Sequence, residues 1–137
     1  MKFKTPCFAI AAGMTLVLAG ASGVRAESAQ KVWEAAGLAG PESAVYDPKA
    51  GVIYVSNVDG EPLGKDGKGW IAKVSLDGKT ITKDFVTGLN APMGLAISGD
   101  KLFVADIDEF VEINLADGKV VAKYPAAGAK RLNDTAA

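Results

Sequence analysis

Short apolar runs alternate with turn residues along most of this chain. Val52–Val55 is β-branched and aromatic and too short for a helix, so it predicts a buried strand. Asp77-Gly78 lies between two further short runs and is typical of a tight hairpin. No stretch after residue 40 has helical spacing of its apolar residues. The pattern therefore predicts an all-β protein built from short antiparallel strands.

The same order of four short strands occurs twice, and a third copy begins near the end of the chain. The copies open at Gly40-Pro41-Glu42, at Ala91-Pro92-Met93 and at Arg131-Leu132-Asn133. Four strands in a repeat of ~40–50 residues are typical of a β-propeller blade. We therefore predict a partial β-propeller over residues 41–137. Blade 1 covers about 41–86, blade 2 about 92–124 and the start of a third blade about 131–137.

The first 26 residues are expected to be a secretory signal peptide. Lys2 and Lys4 precede the mostly apolar run Phe8–Gly20, and small residues precede a cleavage site after Ala26. A membrane anchor is the alternative, because the uncharged run Thr5–Val24 is long enough to span a bilayer. With cleavage, we expect a periplasmic or secreted protein that has no membrane attachment.

Residues 27–40 precede the repeats. We expect a strand here that completes the last blade of a closed propeller, as an N-terminal strand often does. A short helix is the alternative, because Ala35-Ala36 suits a helix.

Composition limits the chemistry that this chain can carry. The net charge is −1, and the predicted signal peptide contains three basic residues and no acidic residue, so the remainder is more acidic. Nucleic acids and anionic membranes, which require clustered basic residues, are therefore not expected as partners. The sequence has no His, and its single Cys lies in the predicted signal peptide. A metal bound by this chain would need oxygen ligands, which favours Ca²⁺, Mg²⁺ or Mn²⁺.

Two loops have a composition that could suggest ligand binding. Val58–Gly69 is an extension found only in the first repeat, and its Gly64-Lys65-Asp66-Gly67 lacks the Ser or Thr and the following helix of a phosphate-binding loop. We interpret it as a surface loop, with shaping of a ligand entrance as the alternative. Asp106-Ile107-Asp108-Glu109 has three carboxylates in four residues, which a cation could bridge, but a solvated tight turn is favoured.

The openings of the repeats supply the candidate site. In a propeller the innermost strand of each blade lines the central channel, so the leading ends of these strands share one opening. Glu42, Met93 and Asn133 occupy equivalent positions in the three repeats. A carboxylate and an amide oxygen make a calcium-like ligand set. Alternatively, Glu42 and Asn133 bond backbone groups at the strand ends.

The chain resembles the SMP-30/gluconolactonase/LRE family of six-bladed propellers. The resemblance rests on Glu42–Asp47 followed by Val52–Val55, and on Arg131–Asp134 two blades later. It implies that Glu42 is a ligand of a divalent cation, most favourably Ca²⁺, and that Arg131 and Asn133 contact the substrate. The family's enzymes open sugar lactones or related esters, with the metal polarising the carbonyl.

Two features depart from the family's pattern, namely Ala44 in place of a common Pro and the loop extension Val58–Gly69. The resemblance also implies that further metal ligands come from later blades. The alternative function is a non-catalytic, NHL-like propeller that binds a protein or a glycan.

A closed propeller needs roughly 4–8 blades, so we expect this chain to be the N-terminal part of a larger protein that needs further blades for closure. Expressed alone, residues 27–137 should aggregate or unfold without cooperativity, because the last blade has no partner and strand edges are open. Size-exclusion chromatography combined with a thermal melt tests this. A monomer that melts sharply would contradict the expectation, and a discrete oligomer would indicate that two-blade chains assemble into a ring.

Overall fold

Eight β-strands provide the regular structure of residues 28–137, the part of the chain that this computed structural model describes. In chain order the strands are β1 (Pro41–Asp47), β2 (Val52–Asn57), β3 (Gly69–Ser75), β4 (Ile81–Leu89), β5 (Pro92–Ser98), β6 (Lys101–Asp106), β7 (Glu109–Asn114) and β8 (Val120–Pro125). These residues contain no helix, which confirms the all-β prediction. A helix long and apolar enough to cross a membrane is therefore also absent from residues 28–137. The predicted signal peptide, residues 1–26, lies outside the described residues.

The strands form two four-stranded antiparallel sheets, β1-β2-β3-β4 and β5-β6-β7-β8, in which every strand pairs with its neighbour in sequence. Each sheet matches one predicted repeat, and β1 of the first lies beside β5 of the second. We therefore call the sheets blade 1 and blade 2 of a partial propeller, and β1 and β5 their inner strands. Blade 1 extends to Leu89, slightly beyond the predicted end, because β4 continues through Gly88.

The main core lies between the two blades. Successive residues of a strand point to opposite faces, so alternate residues of each sheet turn toward the neighbouring blade. The buried side chains of this cluster are Tyr54, Ile71, Val86, Leu89, Leu95, Leu102, Val104, Val111 and Ile113. Tyr54 and Phe85 pack with ring centroids 5.1 Å apart. Burial, and secondarily the charge of Asp47, raises the pKa of the Tyr54 hydroxyl, so that it stays neutral at physiological pH.

Both inner strands carry a β-bulge at the same place. In blade 1, Glu42 and Ser43 together face one residue of β2, Ser56. In blade 2, Met93 and Gly94 together face Ala105 of β6. A bulge bends the strand and redirects the side chains of the extra residues. The shared bulge therefore supports the alignment of Glu42 with Met93.

Hydrogen bonds connect the inner strand of each repeat to that of the next, and the two connections differ. Between blades 1 and 2, the buried Ser56 hydroxyl accepts a hydrogen bond from Ser43 N (3.0 Å) and donates one to Met93 O (2.8 Å). Between blade 2 and the start of the third repeat, Gly94 N donates directly to Asn133 O at 2.7 Å. Ala105 replaces Ser56 at the second connection and has no hydroxyl, so the backbones approach each other directly.

Residues 31–40 are not part of either sheet. Ala35, Leu38 and Ala39 pack against the face of blade 1 that points away from blade 2, over Val55, Trp70, Ala72 and Val74. The indole of Trp33 lies so close to Gly78 that a Cβ there would be 2.5 Å from its ring. Residues 28–40 thus form no strand within this chain, and completion of a last blade by this segment stays a prediction.

The direct connection at Gly94 requires a residue without a side chain. A Cβ at position 94 would lie 2.6 Å from Asn133 O and 2.7 Å from Asp134 Cα, closer than real Cβ contacts allow. Gly94→Ala should therefore push residues 131–135 away from β5 and accelerate amide exchange at positions 94 and 132. Ser43→Ala, at the equivalent position of blade 1, adds no bulk and is the matched control. Unchanged exchange in Gly94→Ala would contradict the close approach.

Candidate functional site

A cavity of about 390 Å³ opens at the leading ends of the inner strands, and we call it the mouth. Its polar lining comes from Glu42 of β1, Asp59 of the β2–β3 connection and Arg131 of the third repeat. Met93 of β5 contributes an apolar wall, although only 1% of its surface is exposed. The mouth therefore brings together residues from three successive repeats.

Glu42 lies at the bulge of β1 and is exposed. Its carboxylate accepts no hydrogen bond from residues 28–137. Among these residues both oxygens are therefore free to accept hydrogen bonds from a ligand. Its position on a paired strand, with Ser43 N held by Ser56, fixes the backbone that presents the carboxylate.

Arg131 reaches the mouth from the other side. Its Nη2 donates to the thioether sulfur of Met93 at 3.9 Å, a soft contact that positions the guanidinium without neutralising its charge. The neighbouring backbone is held by Leu132 N, which donates to Ile107 O at 2.6 Å. Because Arg131 is itself exposed, its remaining donors face solvent and the cavity.

Asn133 is not among the residues that line the mouth. Its backbone carbonyl accepts the hydrogen bond from Gly94 N, while its side-chain Nδ2 is within 3.5 Å of Asp134 Oδ2. The structure thus brings two of the three predicted site residues, Glu42 and Arg131, into one cavity and places the third side chain outside it.

The three carboxylates of the 106–109 turn have separate partners. Asp106 is fully buried and accepts hydrogen bonds from Asn90 N (2.9 Å) and Ala91 N (2.7 Å). Asp108 pairs with Lys65 at 2.7 Å, and Glu109 pairs with Lys123 at 2.7 Å. The turn itself is tight, because Asp106 pairs with Glu109 and only two residues connect the strands.

The role of Asp106 escaped the sequence analysis. Asp106 accepts hydrogen bonds from the backbone that leads into β5. Asn57 at the end of β2 has the same role in blade 1, where its Oδ1 accepts a hydrogen bond from Ala39 N at 3.0 Å. An Asn or Asp at the end of the second strand of each repeat thus holds the segment that leads into the inner strand by accepting hydrogen bonds from its backbone amides. The signal was present in the sequence as an Asn and an Asp at aligned positions, but each residue alone looks like an ordinary turn residue.

An apolar floor lies beneath the mouth. It consists of Val58, Ala91, Met93, Ala105 and Ile107, with Phe110 and Leu132 packed against them. Ile107 has φ +56°, a left-handed conformation that is unfavourable for a β-branched residue. Burial of its side chain to 5% exposure offsets this strain, at about 1.5–3 kcal/mol for a side chain of this size.

The β2–β3 connection, residues 58–68, is the blade 1 insert, and it forms one wall of the mouth. Asp59, Gly60 and Pro62 line the cavity. Asp59 Oδ2 accepts a hydrogen bond from Trp70 Nε1 at 3.1 Å, which ties the insert to the first residues of β3. The hydrogen bond to Asp108 raises the pKa of the Lys65 ammonium, so this lysine stays charged at physiological pH. Sequence analysis predicted a surface loop here but could not place it beside Glu42.

The divalent cation that the family resemblance implies would need several oxygen ligands in the mouth. Glu42 and Asp59 supply two carboxylates, of which Asp59 already accepts a hydrogen bond from Trp70, and within residues 28–137 no group of three or more His, Cys, Asp or Glu side chains could share a metal ion. Arg131 also brings positive charge to the same cavity. The described residues therefore do not form a cation site by themselves, and further oxygen ligands would have to come from outside them.

Comparison with known proteins gives no family. No family model matches the chain, and no curated protein matches it. Among solved structures, a chain from "Crystal structure of Nidogen/Laminin Complex" is similar, with 16% sequence identity and a TM-score of 0.39. The match covers 73% of this chain and 52% of that chain, so this chain spans about half the length of its structural neighbour. A likeness this weak supports no statement about function.

Removal of the Asp106 carboxylate should loosen the segment that leads into β5. In Asp106→Ala the amides of Asn90 and Ala91 lose their acceptor inside the protein. Hydrogen bonds to charged groups contribute about 1.5–3 kcal/mol, so amide exchange at both positions should accelerate about tenfold or more. Asp106→Asn, which retains one acceptor as Asn57 does, should have a smaller effect. Asp100→Ala, at an exposed carboxylate, is the control, and equal exchange in all variants would refute the role of Asp106.

Proposed function

We propose that the mouth binds a small polar ligand of the sugar-lactone or sugar-acid class, with Arg131 and Glu42 as its two principal contacts. The observation that carries the proposal is the convergence of a guanidinium and a free carboxylate on one cavity of about 390 Å³. That volume lies near the lower end of the range of small-molecule pockets, about 300–1,000 Å³. The predicted signal peptide supports a function in the periplasm or outside the cell.

The two contacts have complementary chemistry. Arg131 offers a planar fork of donors that suits the paired oxygens of a carboxylate or the carbonyl and ring oxygens of a lactone. Glu42 offers acceptors for sugar hydroxyl groups. The exposed side chains of Pro41 and Pro62 also line the cavity and offer an apolar surface on which the carbon skeleton of a sugar can pack.

Hydrolysis is the further part of the proposal, and it follows from the family resemblance. Opening a lactone requires a water molecule activated by a base or a metal, besides a means of holding the substrate. Because residues 28–137 contribute two carboxylates to the mouth, Glu42 and Asp59, and no complete cation site, we assign binding to Glu42 and Arg131. The dependence of turnover on Ca²⁺ is measured in the gluconolactone assay described below.

Binding of a protein or glycan without catalysis is the second candidate. It is favoured by Leu63, which follows the cavity-lining Pro62 and is 60% exposed. A large apolar side chain beside a polar cavity suits a partner that covers more surface than a monosaccharide does.

The first test uses gluconate, a sugar acid that does not hydrolyse, as the probe in calorimetric titrations of the full chain. Arg131→Ala and Glu42→Gln should each weaken binding about tenfold or more, since each removes charge-assisted hydrogen bonds of about 1.5–3 kcal/mol. Lys130→Ala and Glu34→Gln remove exposed charges outside the mouth and should leave affinity unchanged.

Turnover of gluconolactone, measured with and without added Ca²⁺, separates the two candidates. Hydrolysis that is lost in Glu42→Gln supports the lactonase proposal, whereas gluconate binding without hydrolysis supports a binding module. Equal affinity of wild type and both mouth variants would overturn the assignment of the site.

A further inference from the structure

The blade 1 insert has no counterpart in the second repeat. Blade 2 connects the equivalent strands through Ile107 and Asp108 alone. Blade 1 uses residues 58–68 at this place, and Asp59, Gly60 and Pro62 of that segment line the mouth. The extra residues therefore add a wall to one side of the cavity and not to the other.

The insert is a folded element with internal contacts. Asp66 Oδ1 accepts a hydrogen bond from Lys68 N at 3.1 Å, and Gly64 N donates to Glu61 O at 2.8 Å. The Asp66 carboxylate lies against Gly60, where a Cβ would be 2.8 Å from Oδ2. The contact of Asp66 with Gly60 brings the two halves of the insert together into one compact unit.

Two attachments hold this unit in place. Near its beginning, Trp70 Nε1 binds Asp59, and Val58 N and Asp59 N donate to Gly40 O and Ala39 O. In its second half the contact with the neighbouring blade is the Lys65–Asp108 ion pair, 2.7 Å between Nζ and Oδ2. Lys65 is largely in solvent and Asp108 is partly exposed, with 57% and 37% of their side chains accessible. An exposed pair is weak and salt-sensitive, so this attachment is the one that opens most readily.

We propose that the blade 1 insert determines which ligands reach Glu42 and Arg131, and that the Lys65–Asp108 ion pair holds it in the position that narrows the mouth. The inference rests on the proposed function of the mouth and adds its size selectivity. With the pair formed, the cavity admits a ligand of monosaccharide size. With the pair broken, the insert pivots about its attachment at Asp59 and longer sugar chains gain access.

Cysteine labelling tests the inference without any assumption about the natural ligand. Glu42→Cys in a Cys7→Ser background provides one reporter thiol at the mouth. Its reaction rates with a small and a bulky uncharged methanethiosulfonate reagent are compared, and the small reagent serves as the internal reference. In Lys65→Met the ratio of bulky to small rates should rise about three- to fivefold, as expected for loss of an exposed ion pair.

Three comparisons make the test specific. Lys79→Met breaks an exposed ion pair with Asp77 in the β3–β4 turn, at the opposite end of the blade, and should leave the ratio unchanged. The charge swap of Lys65→Asp with Asp108→Lys should restore the wild-type ratio. High salt should raise the ratio in the wild type and have no effect in Lys65→Met.

An unchanged ratio in Lys65→Met would overturn the role of the insert, even if the rates of both reagents rise by the same factor. Because labelling measures access to position 42 and not affinity, this failure is distinct from failure of gluconate binding. Gluconate binding with an unchanged labelling ratio would reject the insert and retain the site. A changed ratio without gluconate binding would reject the ligand class and retain the control of access.

Discussion

The apolar contact between the two blades is the constraint on which the rest of the structure depends. A four-stranded sheet has two faces, and in blade 1 one face is covered by blade 2 through the cluster around Tyr54, Ile71 and Leu102. This contact fixes β1 beside β5 and so sets the spacing of the inner strands. Since the mouth is built from the leading ends of those strands, its geometry follows from the burial of residues well removed from it.

Charged groups have a different role from the apolar core. Most ion pairs of the described residues are exposed and join residues close in sequence, as Asp77 and Lys79 do, so each contributes little to stability. The buried carboxylates of Asp47 and Asp106 differ from these pairs, because each accepts hydrogen bonds from two backbone amides that repay the cost of removing it from water. The carboxylate of Glu42 at the mouth is exposed and accepts no hydrogen bond from residues 28–137, which leaves it available for a ligand.

Much of the architecture could be predicted from sequence, because repeated turn residues and short β-branched runs constrain strand order strongly. The strands of blade 1 and blade 2 agree with the repeats that begin at Pro41 and Pro92. The meeting of inner strands at one opening predicted that Glu42 and Asn133 would converge, but the cavity joins Glu42 to Arg131, which the family resemblance alone had put forward.

Other features could not be predicted, because they depend on contacts between residues far apart in sequence. The orientation of the Asn133 side chain depends on its own backbone pairing with Gly94. The left-handed conformation of Ile107 contradicts the preference of a β-branched residue, and only its burial against Met93 and its neighbours accounts for it. The position of Lys65 against Asp108 depends on how a long loop folds, which composition does not specify.

Ser56 in blade 1 and Ala105 in blade 2 occupy equivalent positions, but the two contacts between successive inner strands differ. The first contact joins β1 to β5, and the second joins β5 to the start of the third repeat. At the first contact the Ser56 hydroxyl lies between the backbones of β1 and β5, so a substitution of Ser56 can alter the spacing between the two blades. At the second contact the amide of Gly94 and the carbonyl of Asn133 meet directly, 2.7 Å apart. The spacing of the first contact therefore depends on the hydroxyl of one side chain, whereas the spacing of the second depends on the absence of a side chain at Gly94.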